Sequence, residues 1–145
     1  MKTTISVEAK INAPCESVWK FFTIPEHIRN WYYASPDWHV PYAENDLRLN
    51  GKFKITMASR DGNEGFDFEG VYTHLQEHKL IEYTLPDGRK VKVLFSAQAI
   101  VTKVIEIFEA ESENPVPMQR QGWQAILDNF KEYTESNYKP VKFKS

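Results

Sequence analysis

Few side chains in this sequence are of a type and spacing to do chemistry, and Glu106 is the foremost. It stands in the run Ile100 to Ala110, where alternation groups it with Ile100, Thr102, Val104 and Phe108. The other face carries Val101, Lys103, Ile105, Ile107 and Glu109, so the apolar residues alone leave the inward face open. If Val104 and Phe108 turn inward, Glu106 is a buried carboxyl with a raised pKa and a candidate acid or base. Gln119 and Arg120 suit a ligand carbonyl or carboxylate, Arg through a bidentate contact, although pairing with an acid on a helix surface competes for Arg120. His74 and His78 bracket Leu75-Gln76-Glu77 with no third ligand evident, and His27 and His39 have no ligand spacing, so no metal is expected. Cys15, the only cysteine, adjoins Glu16 near a helix start and reads as a structural thiol. A Gly-rich phosphate loop and a Gly-x-Ser-x-Gly element are both absent, which argues against nucleotide hydrolysis and triad acyl transfer. No cofactor is implied.

The chain that must position these groups has 145 residues, 41% apolar and 14% aromatic, enough for one domain with its own core over 1–138. Eighteen Lys plus Arg against 20 Asp plus Glu give a net charge of -2, which does not favour nucleic acid or anionic lipid. One cysteine excludes an internal disulfide and fits a reducing, cytoplasmic setting. The first residues lack an apolar signal core, and no window approaches the ~20 apolar residues of a membrane span.

The dominant element is a long helix over 114–137. Val116, Trp123, Ile126, Leu127, Phe130 and Tyr133 fall along one stripe, with Gln121, Asp128, Lys131, Glu132 and Glu135 opposite. Asn114 is its expected cap and Pro115 its first residue. Because Gln119 and Arg120 interrupt the stripe before Trp123, the first half of the helix is a candidate roof for a cavity. Upstream, Thr3 to Ala13 alternates as a half-buried strand with Ile5, Val7, Ala9 and Ile11 inward. Pro14 ends it, a short helix carries Val18, Trp19 and Phe22, and Pro25 starts another through Arg29. The stretch 34–44 reads mostly as loop. Asn50-Gly51, Asp61-Gly62 and Asp87-Gly88 are tight-turn dipeptides between alternating runs, so a strand meander follows. A bulge near Gly70 would let Val71 or Tyr72 change face. Residues 139–145 are expected to be a flexible tail.

Within this order, Ile11-Asn12-Ala13-Pro14, Val18-Trp19, Phe22, Pro25 and Trp31 resemble the opening of the START-like (SRPBCC) superfamily. Asp46-Leu47-Arg48, Asn50-Gly51-Lys52-Phe53, Phe108-Glu109-Ala110-Glu111, Asn114 and Gln119-Arg120-Gln121-Gly122-Trp123 resemble its activator of heat shock protein 90 ATPase homologue-like branch. The resemblance runs from about Ile11 to Tyr133 and implies an α+β helix-grip fold. A curved antiparallel sheet would wrap the C-terminal helix in the order β-α-α-β-β-β-β-β-β-α. It also implies a pocket between helix and sheet, for which Trp31, Phe53, Met57, Phe66, Phe68, Tyr83, Phe95, Phe108, Gln119 and Trp123 are the expected lining. Aromatic residues at such spacings equally suit a filled core.

Three functions are compatible with these residues. The first is a binding protein for a small hydrophobic molecule such as a lipid. The second is a chaperone-associated protein of the stress response, as the family name implies, with outward Ile105 and Ile107 as a partner or homodimer patch. The eukaryotic activators carry a further N-terminal domain, for which this chain has no room. The third is a cyclase-like or hydrolase-like enzyme using Glu106; a non-enzymatic role is favoured.

Overall fold

The computed structural model describes residues 2–140, so the expected tail lies, apart from Lys139 and Pro140, outside the described residues. The order is β1 (Thr4–Ile11), α1 (Cys15–Thr23), α2 (Pro25–Ile28), β2 (Trp38–Asn45), β3 (Lys52–Ser59), β4 (Gly65–Gln76), β5 (Leu80–Thr84), β6 (Lys90–Gln98), β7 (Val101–Glu109) and α3 (Val116–Asn137). The seven strands form one antiparallel sheet in the order β1-β7-β6-β5-β4-β3-β2, curled around α3 as a helix-grip fold.

Alternation builds the inner face. Ile5, Val7 and Ile11 are buried on β1, Phe53, Ile55 and Met57 on β3, Val91, Val93 and Phe95 on β6. Each tight turn uses the left-handed region where its dipeptide predicts it, at Asn50 (φ 64), Gly62 (φ 81) and Gly88 (φ 91).

The stretch read as loop holds β2. Its alternation is hidden by a register shift between His39 and Tyr42, with Pro41 inside the irregularity. A proline lacks the amide a ladder needs, so it is tolerated here only because β2 is an edge strand. The irregularity in β4 comes later than expected, between Tyr72 and His74. Phe66, Phe68, Gly70 and Tyr72 therefore keep one parity, and Val71 stays outward.

The β7 ambiguity resolves in favour of Glu106. Thr102, Val104, Glu106 and Phe108 are buried, while Lys103, Ile105 and Ile107 face out at intermediate exposure. Pairing decides this: Val104 and Phe108 lie opposite Ala9 and Ile5 on β1 and opposite Phe95 and Val91 on β6, all inward residues.

Helix α3 begins at Val116 with Pro115 in the cap position, one residue later than Pro115 as first helical residue implies; Asn114 provides no capping side chain. From Leu127 on the helix packs into the core, with Leu127, Phe130 and Thr134 buried; before that only Gln119 is buried, and Trp123 and Ile126 are half-exposed. The C-terminal half thus anchors the helix, and the N-terminal half stands off the sheet. Three of its side chains also occupy the free edge of β1. Gln124 donates to the Glu8 carbonyl (3.0 Å), Lys131 donates to that of Lys10 (2.5 Å), and the Asn12 amide donates to Glu135 (2.9 Å).

Candidate functional site

Where α3 stands off, a cavity of about 410 Å³ opens between its first three turns, strands β3, β4 and β7, and the segment from the end of α2 to the start of β2. That volume is within the usual range for small-molecule sites. Its walls are Tyr32, Tyr33, Ala34, Ser35 and Trp38 on one side, Met57, Phe66 and Phe68 on the sheet, and Asn114, Met118, Gln119, Gly122, Trp123 and Ile126 from the roof; Glu106 projects from β7. Phe66 and Met118, 52% and 57% exposed, mark the mouth.

Ring packing fixes the walls. Trp123 stacks on Phe108 with centroids 3.8 Å apart and planes 11° from parallel, and meets the edge of Phe68 at 5.9 Å. Tyr32 stacks on Phe68 at 5.8 Å, and Trp38 lies 5.8 Å from Phe66. The Asn129 side-chain amide donates to the Tyr33 carbonyl (2.6 Å), which ties the wall after α2 to the anchored half of α3.

The expected lining divides in two. Met57, Phe66, Phe68, Gln119 and Trp123 line the cavity, whereas Trp31, Phe53, Tyr83, Phe95 and Phe108 do not. Trp31 is 1% exposed, packs on Phe130 with centroids 4.7 Å apart, and donates its indole N–H to the Phe21 carbonyl (3.0 Å). Phe95 is enclosed by Trp19 and Phe22, and Phe53 by Tyr72 and Tyr83. Phe108 backs the Trp123 ring from behind. Trp31 and Phe95 are core because α1 and Phe130 of the anchored half of α3 cover them, Phe53 and Tyr83 because they pack on each other and on Tyr72, and Phe108 because the Trp123 ring covers it.

Gln119 corrects a second expectation. Its amide is already engaged: Nε2 donates to the carbonyls of Glu111 (3.0 Å) and Asn114 (2.7 Å), and Oε1 accepts from the Glu111 amide (2.9 Å). It locks the loop before α3 and offers a ligand its aliphatic stem. Arg120 is exposed and outside the lining.

Missed by sequence reasoning were Tyr32 to Ser35 and Trp38, which lie in or beside a stretch read as loop. Met118, Gly122 and Ile126 were also missed, although their four-residue spacing on α3 is a legible signal.

Glu106 is 5% exposed, and burial pushes its carboxyl up to about 8. Its neighbours across the ladder are Val7 and Val93. Tyr32 and Tyr83 are raised well above 10 by burial and further by Glu106, so the cluster is uncharged near neutral pH. His27 lies elsewhere, its Nδ1 2.7 Å from the Tyr133 hydroxyl, and burial holds it below its ordinary value despite Glu26. Cys15 is a half-buried free thiol at the start of α1. Among the described residues no three His, Cys, Asp or Glu side chains cluster as metal ligands would, and no helix is long and apolar enough to cross a membrane.

The family described as "Activator of Hsp90 ATPase homolog 1-like protein" matches residues 12–135. An AHSA1-like protein from Aeromonas hydrophila, solved in solution, superposes with a TM-score of 0.89 at 38% identity, over 97% of this chain and 100% of its own. A protein from Cytophaga hutchinsonii, also a solution structure, is 49% identical with a TM-score of 0.80, over 92% of this chain and 93% of its own. A crystal structure from Nitrosomonas europaea at 19% identity shares the fold, with a TM-score of 0.76 over 92% of this chain and 94% of its own. No curated protein matches the chain.

Proposed function

The chain belongs to the Activator of Hsp90 ATPase homolog 1-like family, and from that premise we propose that it is a binding protein enclosing a small, largely apolar molecule under α3. The observation that supports this most is the state of the α3 roof. Gly122 lines the cavity, and a Cβ added there would meet nothing within 4 Å, so the helix leaves room that a packed core would fill. Glycine inside a helix costs about 1 kcal/mol relative to alanine, so helix propensity does not account for its place here.

A chaperone contact through Ile105 and Ile107 has weaker support. Both are only half-exposed; Leu94 and Leu80 extend the row from Ile105 across β6 and β5, but Glu8, Ser6 and Lys92 stand beside the two isoleucines and limit the apolar area. For an enzyme, the cavity supplies one carboxyl, Glu106, and Ser35 without a basic side chain in the lining among the described residues.

Gly122→Leu tests the container. The neutral fluorophore N-phenyl-1-naphthylamine should bind the wild type saturably at one site. The variant should lose that binding by at least tenfold while melting no lower, since leucine is the better helix former. Absence of saturable binding, or equal binding by the variant, would rule the container out.

A further inference from the structure

The cavity combines aromatic walls with a single acid. Tyr32, Trp38, Phe66, Phe68 and Trp123 present rings to the space, and Glu106 is the one carboxyl among the described lining residues, which include no Lys, Arg or His. Ring faces carry negative charge density and attract cations, most strongly where water is displaced. An anionic ligand would lose its hydration and meet no countercharge, and a neutral one would gain nothing from the acid. We propose, on the basis of the container reading, that the cavity selects hydrophobic organic cations, an ammonium or related onium group seated among the rings with its charge toward Glu106 and its apolar remainder toward the mouth.

The burial of Glu106 gives this selectivity a pH dependence. In the free protein the carboxyl holds its proton up to about pH 8. The groups facing it are Tyr32 after α2 and Tyr83 on β5, with Tyr72 on β4 behind them; Val7 and Val93 flank it on β1 and β6, and α3 brings Gln119 and Trp123 to the same space. None of these supplies a positive charge. A bound cation therefore takes the place of the carboxyl proton: the O–H bond breaks, the proton leaves to solvent, and the carboxylate pairs with the ligand. The competent fraction of free protein falls about tenfold per pH unit below the carboxyl's pKa, and the apparent affinity for a permanent cation falls with it.

Phenyltrimethylammonium and its uncharged carbon isostere tert-butylbenzene separate charge from shape. Each would be titrated against bound N-phenyl-1-naphthylamine between pH 6 and 9. The expected result is at least tenfold tighter binding of the cation at pH 8.5, an advantage that shrinks by about tenfold per unit below pH 8, and an isostere affinity that does not change with pH. Glu106→Gln should abolish the preference and its pH dependence while still binding the isostere, which verifies that the variant is folded. A cation that displaces no better than the isostere at pH 8.5, or a preference that survives Glu106→Gln, overturns the cation assignment while leaving the container standing. If the fluorophore itself does not bind, both fall together.

Discussion

At the scale of single residues, Glu106 is the one buried acid among the described residues. Its carboxyl titrates near 4.5 when solvated and is pushed up to about 8 by burial. Between those values the folded protein holds a proton that the unfolded chain has released, so stability contributed at this site falls as pH rises and levels off above about 8. Replacing Glu106 with Gln removes the titration. Urea unfolding at pH 5, 6.5 and 8 should show the variant gaining on the wild type by up to ~1.4 kcal/mol per pH unit; parallel profiles would mean that the carboxyl is solvated. That Glu106 could be buried is legible in the alternation of residues 100–110, but its direction is not. Apolar residues occupy both faces of that run, and only the register against β1 and β6 assigns Val104 and Phe108 to the core. Gln119 is the converse case: its residue type suggests a ligand contact, and its hydrogen bonds to Glu111 and Asn114 give it a loop to hold.

At the scale of elements, the middle of the sheet depends on a close approach at Gly70. The Phe53 ring lies over Gly70 of β4, where an added Cβ would overlap the ring and come within 3.0 Å of Tyr83. Phe53 cannot yield readily, being 6% exposed and packed against Phe68, Tyr72 and Tyr83. Gly→Ala at a tolerant site stabilises by roughly 0.4–1 kcal/mol; here Gly70→Ala should destabilise by about 1–3 kcal/mol, read as a lower urea midpoint at unchanged m. A neutral or stabilising result would show that the ring has space to move. The two sheet edges are protected by different means. Polar side chains of α3 cover β1, whereas Pro41 and the register shift interrupt β2. Those same features made β2 unreadable as a strand.

At the scale of the molecule, the helix and sheet are joined at one end and parted at the other, which is what leaves the cavity between them. A ligand that binds only the folded state adds stability by mass action: at one hundred times its Kd, about 2.7 kcal/mol. For the wild type that should raise Tm by roughly 5–10 °C with N-phenyl-1-naphthylamine, and the Gly122→Leu variant should show no rise. A shift of equal size in both would locate binding elsewhere. The sequence alone determined the long helix, the strand and two short helices that open the chain, the three turns with positive φ, the inward residues of β1, β3 and β6, and the family motifs, because periodicity and turn chemistry are local properties; β2 entered the expected order only through the family resemblance. Tertiary structure decided which way Glu106 points, that 38–45 pairs as an edge strand, and which aromatic residues line space and which fill it. Those outcomes depend on register and on how far α3 stands from the sheet, and both arise from contacts between residues distant in the chain.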